Sequence, residues 1–417
     1  MGILRLDIDL MTLLRTLKII SRAPTRIDLA GGTLDIWPLY LFIAHPITVN
    51  LGINLYAEVT LVQSPPLSKG NGHVTLKSVD QKLELQLPWQ ALTSGESPAI
   101  PPGLELHYKL VRYFLEKKQS QGTLDFTKNS RSELGPELNP ERNKDFGIDL
   151  LLTTTAHSPS GAGLGGSSTL SIAMIGALST WASTHLDGLD GDIKDLKTLD
   201  LTKTGESLID IVRDVETTVI RVPAGLQDYY GAMYGGLQTL HWGTGSHQRE
   251  YLPEGLIPEL QDRILLFYSG KSRNSGINNW TLFKDFIDNK NDVKSKFEKI
   301  SSATHALNQA LLERDWKKVG QAITQEWEVR KTLAPEITTP EIDTAFAAAR
   351  KLAPVSGKIC GAGGGGCFFI YLPTDNPEER ALLTTKIEAL FAQQKMHRLK
   401  YQGVPRGLEI TVHRDSD

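Results

Sequence analysis

Two cysteines, Cys360 and Cys367, are all that 417 residues contain. Two thiols cannot staple a small loop-rich scaffold, so a disulfide framework is excluded. They flank the glycine run Gly363–Gly366, where a bridge would freeze the loop between them. Free thiols in a reducing compartment, the cytoplasm, are therefore expected. No apolar run approaches the roughly 18 residues of a membrane span. An excess of one charge is missing as well: 45 Lys and Arg face 48 Asp and Glu, a formal net charge of -3. The basic residues are scattered, so neither a nucleic-acid footprint nor an electrostatic hold on a membrane is present. The leucine-rich start carries Asp7 and Asp9 and lacks a small-residue cleavage site, so it does not read as a signal peptide. Residues 1–16 read as an extension before the first strand, and Met11 is an alternative start. No repeat of solenoid period is present.

What is present is a folded chain, 40% hydrophobic and 22% charged. It is too long for one small core, and two domains are expected. The most informative stretch is Ser158-Pro159-Ser160-Gly161-Ala162-Gly163-Leu164-Gly165-Gly166-Ser167-Ser168-Thr169. A β-branched apolar run, Ile148 to Ala156, precedes it and reads as a strand. The small apolar run Leu170 to Ala182 follows and reads as a buried helix. Four glycines within six positions leave the backbone bare. The free N–H groups of the first helical turn, with the positive end of the helix dipole behind them, suit an anion such as the phosphates of a nucleotide. Ser167 and Ser168 add hydroxyls that cap the helix or reach a bound Mg²⁺. The stretch is not a Walker A loop, since no lysine lies between Lys144 and Lys194.

Along the rest of the chain, Leu17 to Ser21 reads as a strand running into Arg22 to Asp35, where Arg26, Asp28 and Asp35 stand among apolar residues and glycines. Charges in such a place need partners or a ligand. Ile47 to Gln63 reads as one or two strands, and His73 to Leu87 as two more with a turn at Asp80 and Gln81. Pro101 to Lys117 and Thr202 to Val219 read as amphipathic helices. The polar stretches 119–144 and 187–199 read as loops. Pro223 to Tyr230 reads as a turn. Arg263 to Tyr268 is a buried strand ending at Ser269-Gly270-Lys271-Ser272-Arg273. Phe283 to Arg330 is helical in pieces, and Pro340 to Leu352 and Pro377 to Lys395 are further helices. Gly357-Lys358 to Gly366 opens onto a strand at Cys367, and Leu408 to Val412 is a last strand.

Three glycine-rich segments, near positions 31, 163 and 364, thus meet strands or helices in one chain. In this order and spacing they resemble the three motifs of the GHMP kinase superfamily, from about Leu17 to the C-terminus. The pattern of Arg26, Asp28, Gly31-Gly32 and Asp35, with Gln227-Asp228-Tyr229 and Ser269 to Ser275, is similar to the D-glycero-D-manno-heptose 7-phosphate kinase-like branch. L-fucose kinases share its first part. Galactokinases have Glu-His where this chain has Gly32-Thr33, which argues against galactose.

The resemblance implies an α+β fold of two domains, ribosomal-protein-S5-like at 17–224 and ferredoxin-like at 225–417, with ATP and Mg²⁺ in the cleft. It places Pro159, Gly161, Gly163, Leu164, Gly165, Gly166, Ser167, Ser168 and Thr169 around ATP. It makes Asp228 the general base and Arg26 the cation beside it, which stabilises charge moving onto the acceptor oxygen. Glu216 and Ser167 become Mg²⁺ ligands, with Gly166 standing where many relatives have a first serine. Gly32, Thr33, Asp35, Lys271, Arg273, Gly363 and Gly364 become substrate contacts. On turn statistics alone, Asp228 and Asp35 read equally well as turn aspartates, and Lys271 and Arg273 as solvated loop charge. If those two cations meet an anion, the acceptor is a sugar phosphate; if not, a neutral sugar. The expected activity is phosphoryl transfer from ATP to a sugar or sugar phosphate by a monomer or homodimer. A fucose-type 1-kinase, a mevalonate-type kinase and a non-catalytic sensor of the same fold are the alternatives.

Overall fold

Alternating β-branched and apolar residues carry the first two strands well past a typical strand length. β1 (Leu17–Ala30) runs for 14 residues and β2 (Ile47–Ser64) for 18. The computed structural model describes residues 16–66, 72–93, 98–121, 148–186, 201–272 and 276–414. The loop readings at 187–199 and over most of 119–144 lie outside these, as do residues 1–15 and Arg273.

The antiparallel register of β1 on β2 shifts between Pro24 and Thr25 and again between Asp28 and Ala30. A proline cannot donate to the ladder, and a shift there re-aims the side chains that follow. Arg26 and Asp28 are among them. β3 (His73–Ser78), β4 (Leu83–Pro88) and β5 (Asp149–Ala156) extend the sheet, with β3 parallel to β5. β6 (Leu237–His241) and β7 (Gln248–Tyr251) join through β2, and β12 (Glu409–Arg414) pairs with β1. The result is an eight-stranded mixed sheet. It draws strands from both sides of residue 224, so a cut at 224 passes through it.

The helix Gly166–Leu186 lies on this sheet. Its residues 171–182 are all buried, and they are small or apolar on every side, as a helix segment buried all round requires. Ile172, Met174, Leu178 and Trp181 pack with Val59, Leu61 and Leu152. The Trp181 indole N–H is satisfied by Gln63 Oε1 at 2.8 Å.

β8 (Ile264–Tyr268), β9 (Ser356–Ile359), β10 (Cys367–Tyr371) and β11 (His397–Arg398) form a second, antiparallel sheet. Taken in chain order, its strands lie fourth, first, third, second across the sheet, the ferredoxin-like arrangement. The α+β expectation is met. The helices Pro340–Leu352 and Pro377–Ala392 start at prolines behind capping side chains: Thr339 accepts from Ile342 N–H, and Asn376 from Glu378 N–H.

One element differs from the sequence reading. The stretch after Pro223 is not a turn throughout, because Gln227–Tyr234 is a helix. Seven of its eight residues are buried, which hides the polar face that would have marked its period. Asp35 anchors its start: the Asp35 carbonyl accepts from Leu226 N–H at 3.3 Å and its carboxylate from Gln227 N–H at 2.9 Å.

Candidate active site

The glycine-rich loop turns on residues with positive φ, among them Gly163 at 74° and Gly165 at 78°. Only glycine takes such values without strain, and both sites are also closed by space. A Cβ on Gly163 would stand 2.6 Å from the Cys360 carbonyl oxygen, and one on Gly165 3.0 Å from Asp228 Cγ. The loop is therefore pressed against the third glycine segment on one side and a carboxylate on the other. Cys367 N–H donates to Ala162 O at 2.7 Å and seals the first of these contacts.

Arg26 ties three stretches together. Its Nη1 donates to Gly163 O at 2.8 Å and its Nε to Asp228 Oδ1 at 2.8 Å, and its Nη2 also pairs with that oxygen. Burial opposes its charge, but the carboxylates of Asp228 and Asp28 outweigh burial and hold the guanidinium ionised. Asp228 sits in the first turn of its helix, where the helix dipole favours a carboxylate. Its side chain is 24% exposed, so it is open to the cleft.

Glu216 comes from the helix Leu201–Ile220 and is 3% exposed. Tyr229 Oη donates to its Oε2 at 2.7 Å. Burial pushes the Glu216 carboxyl up, and hydrogen bonds from Ser167, Tyr229 and Ser168 pull it part of the way back. Both serines thus face this carboxylate. Asp35, 1% exposed, is pushed up to about 6, first by burial and further by the charge of Asp228, against the hydrogen bond from Gln227 N–H. Thr33 has φ of 79°, an outlier for a β-branched residue and of the kind that collects at ligand sites.

These groups line one cleft of about 1020 Å³, which includes Arg26, Thr33, Asp35, Glu216, Asp228, Gly363 and the loop residues Pro159, Gly161, Gly163, Gly165, Gly166, Ser167 and Ser168. Leu164 is wholly buried beneath the loop. Gly32 acts through its carbonyl, which accepts from Arg330 Nη1 at 2.8 Å, and Gly364 through its N–H, which donates to Ile337 O. Thr169 is buried, with its N–H bonded to Gly165 O. Lys271 is not brought into the cleft: its Nζ is paired with Glu341 Oε1 at 2.6 Å on the surface, while its neighbour Ser272 lines the cavity.

Sequence reasoning missed two groups. Asp80, Gln81, Pro102, Leu106 and His107 also line the cleft, from a turn and a helix start that carry no motif. Burial holds the His107 imidazole neutral, with its pKa down to about 4. Beneath the site, Asp28, Glu326, Arg330 and Lys358 form a buried cluster. Lys358 Nζ lies 3.2 Å from Asp28 Oδ2 and 2.8 Å from Glu326 Oε1. Arg330 contacts both carboxylates and donates to Gly32 O and Gly361 O. Asp28 already stood out as a charge in need of a partner, and the lone lysine inside Gly357-Lys358-Ile359-Cys360, an otherwise apolar strand, was the further signal.

Gly165→Ala is expected to lower stability, because the new methyl would stand 3.0 Å from Asp228 Cγ on a backbone at φ 78°. Urea unfolding midpoints check this; an unchanged midpoint would contradict the contact between the loop and Asp228.

Domain models for the GHMP kinases match the chain twice, the N-terminal domain at residues 128–236 and the C-terminal domain at 307–385. The chain is 26% identical over 368 residues to an L-fucokinase/L-fucose-1-P guanylyltransferase of Bacteroides fragilis, covering 86% of this chain and 35% of that protein. The chain therefore spans about a third of that relative's length. It is 23% identical to a D-glycero-alpha-D-manno-heptose 7-phosphate kinase of Campylobacter jejuni, covering 84% of this chain and 88% of the relative. The crystal structure of a D-glycero-D-manno-heptose 1-phosphate kinase from Bacteroides thetaiotaomicron superposes with a TM-score of 0.63 at 19% identity, covering 94% of this chain and 98% of that one. At that identity the likeness shows the fold.

Proposed function

We propose, from a chain that carries both the N-terminal and the C-terminal GHMP kinase domains, that it is an ATP-dependent kinase phosphorylating a hydroxyl of a sugar or sugar phosphate. One observation carries this reading: the bare loop at Gly163–Gly165 and the Asp228–Arg26 pair stand in van der Waals and hydrogen-bond contact within one cleft. A polyphosphate gripped by main-chain N–H groups is thereby held beside a carboxylate able to take a proton.

In this reading the ATP phosphates lie on the loop. Asp228 orients the acceptor hydroxyl and takes its proton as the oxygen attacks the γ-phosphorus. Arg26 stabilises the negative charge passing through that oxygen. ADP leaves with the electron pair of the broken bond, and no covalent enzyme intermediate is needed. The donor set fits Mg²⁺: one buried carboxylate, Glu216, with Ser167 and Ser168 beside it at a helix start. A hard cation with phosphate and water ligands needs few protein oxygens. Glu216 and Ser167 would hold it, and it would neutralise charge between the phosphates. The buried thiols Cys360 and Cys367, the former pushed up to about 12 by burial, suit a reducing cytoplasm.

Asp35 gives the acceptor site its pH dependence. Its carboxyl is protonated below about 6 and ionised above. As the ionised acceptor of sugar hydroxyls, it should make kcat/KM for the sugar fall as pH drops through about 6, and Asp35→Asn should remove that limb. A profile unchanged by the substitution would take Asp35 out of sugar binding. For stability the sign is opposite: a raised carboxyl pKa favours the fold at low pH, and that contribution is lost as pH rises from about 3.8 to about 6.

The pairing of Lys271 with Glu341 favours a second reading, a fucose-type 1-kinase acting on a neutral sugar. ADP release measured over heptose 7-phosphate, heptose 1-phosphate, L-fucose and D-galactose decides between the two. Absence of acceptor-dependent ADP release would leave the non-catalytic sensor.

A further inference from the structure

Beside the cleft lies a second cavity of comparable size, about 990 Å³. Ala224 lines both, so the chain segment through it is a shared wall. The sides of the second cavity are aromatic. Trp37 is 59% and Trp280 49% exposed, unusual for the largest apolar side chains, and the Trp280 ring stacks on Phe283 with centroids 5.7 Å apart and planes 8° apart. Inside stand Tyr40 and Tyr230, only 6% and 2% exposed. Neither hydroxyl has a hydrogen-bond partner among the described residues, and neither is among the fully buried unpartnered atoms, so both are accessible from the cavity that their residues line. Both rings meet His247 edge-on. Gly243 N–H donates to His247 Nδ1 at 3.4 Å, which puts the ring proton on Nε2.

The charges in the wall select the ligand. Arg213 binds Asp210 and Asp214 at 2.7 Å each, so its guanidinium is taken, and with Glu206 also present the carboxylates outnumber Arg213 and Arg221 in the wall, which disfavours an anion. Burial keeps His247 neutral. A purely apolar ligand would leave the two phenols and the carboxylates unused. A ring with a C–H face to lie on tryptophan and hydroxyls at its edge uses every group. We propose that this cavity is a second binding site, for a neutral sugar ring, separate from the acceptor position in the cleft. The inference goes beyond the kinase reading and does not depend on it.

The test uses the full chain and three probes, L-fucose, D-mannose and D-galactose, followed by calorimetry and by tryptophan fluorescence. At least one probe should bind in a mode that survives Asp35→Asn. The Trp37→Ala/Trp280→Ala double variant should weaken that mode by about tenfold, as expected for two lost stacking faces. Tyr230→Phe should weaken it less. Both tryptophans are half exposed, and circular dichroism verifies that the variants fold. No saturable binding of any probe, or binding abolished by Asp35→Asn and untouched by the tryptophan variants, would overturn the second site. So would a change of oligomeric state in the tryptophan variants with no sugar binding, because the cavity would then be a contact between copies. ADP release is read separately, so loss of the kinase reading leaves this result standing, and the reverse.

Discussion

Asp228→Asn is expected to lower turnover by at least about 10²-fold, the usual cost of losing a general base, while leaving ATP affinity nearly unchanged. The substitution keeps the shape of the side chain and an oxygen to accept from Arg26 Nε, now at 2.8 Å, so the geometry of the pair should persist. What it removes is the negative charge and the capacity to take a proton from the acceptor hydroxyl. The proposed grip on the phosphates comes from main-chain N–H groups between Gly161 and Ser168, which the change does not touch. Single-turnover kinetics and nucleotide titration, run side by side, separate the two effects. Normal turnover in the variant would remove Asp228 from the role. Lost turnover together with lost nucleotide binding would point instead to a disturbed loop, because Gly165 lies against this side chain.

Lys358→Met should destabilise the fold by about 3–5 kcal/mol, the range for breaking a buried ion pair by removing one partner. Lys358, Asp28 and Glu326 are all fully buried, and Asp28 Oδ1 and Glu326 Oε2 already have no hydrogen-bond partner among the described residues. Removing the ammonium leaves Arg330 as the one cation in direct contact with the two carboxylates among the described residues. A charge-balanced double variant, Lys358→Met with Glu326→Leu, retains the Asp28–Arg330 contact at 3.4 Å and should recover most of the loss, since apolar replacement of buried charges is often neutral. Urea unfolding midpoints compare the three proteins. A single variant as stable as the parent would contradict the buried pairing. Acid gives an independent check. Burial alone would raise the Asp28 carboxyl, but Lys358, Arg330 and Arg26 outweigh it and hold it below its ordinary value. A depressed carboxyl pKa contributes stability at neutral pH that is lost as pH falls below about 4. That acid loss should shrink in Lys358→Met.

The cluster also explains how the two sheets share one site. Asp28 belongs to β1, Lys358 to β9, and Arg330 to the end of the helix Trp316–Arg330. Arg330 then holds the Gly32 and Gly361 carbonyls at 2.8 Å each, which fixes the first and third glycine segments relative to one another. The positions that receive substrate in the proposed function are thus set from below by groups that do not line the cleft, with Arg330 as the exception.

Much of this was local, and so legible in the chain. The strand, glycine loop and helix around Gly163 follow from a β-branched run, missing side chains and a small apolar run in succession. Proline and a capping residue mark the helices at Pro340 and Pro377. The isolated charges Arg26, Asp28 and Asp35 in apolar sequence signalled that partners had to exist. Which partners they found was not legible. Arg26 and Asp228 are 202 residues apart, and Lys358 and Asp28 are 330 apart, distances over which no periodicity or spacing carries information. The helix at Gln227 escaped notice because burial removed its polar face. Lys271 read equally as an anion binder and as solvated loop charge, because a sequence cannot reveal that Glu341 stands within 2.6 Å. Backbone preference is set by a residue and its neighbours, so the elements and the glycine-rich loop were determined by the sequence itself. Charge pairing and the meeting of the three glycine segments depend on packing between distant parts of the chain, and only the tertiary structure decided them.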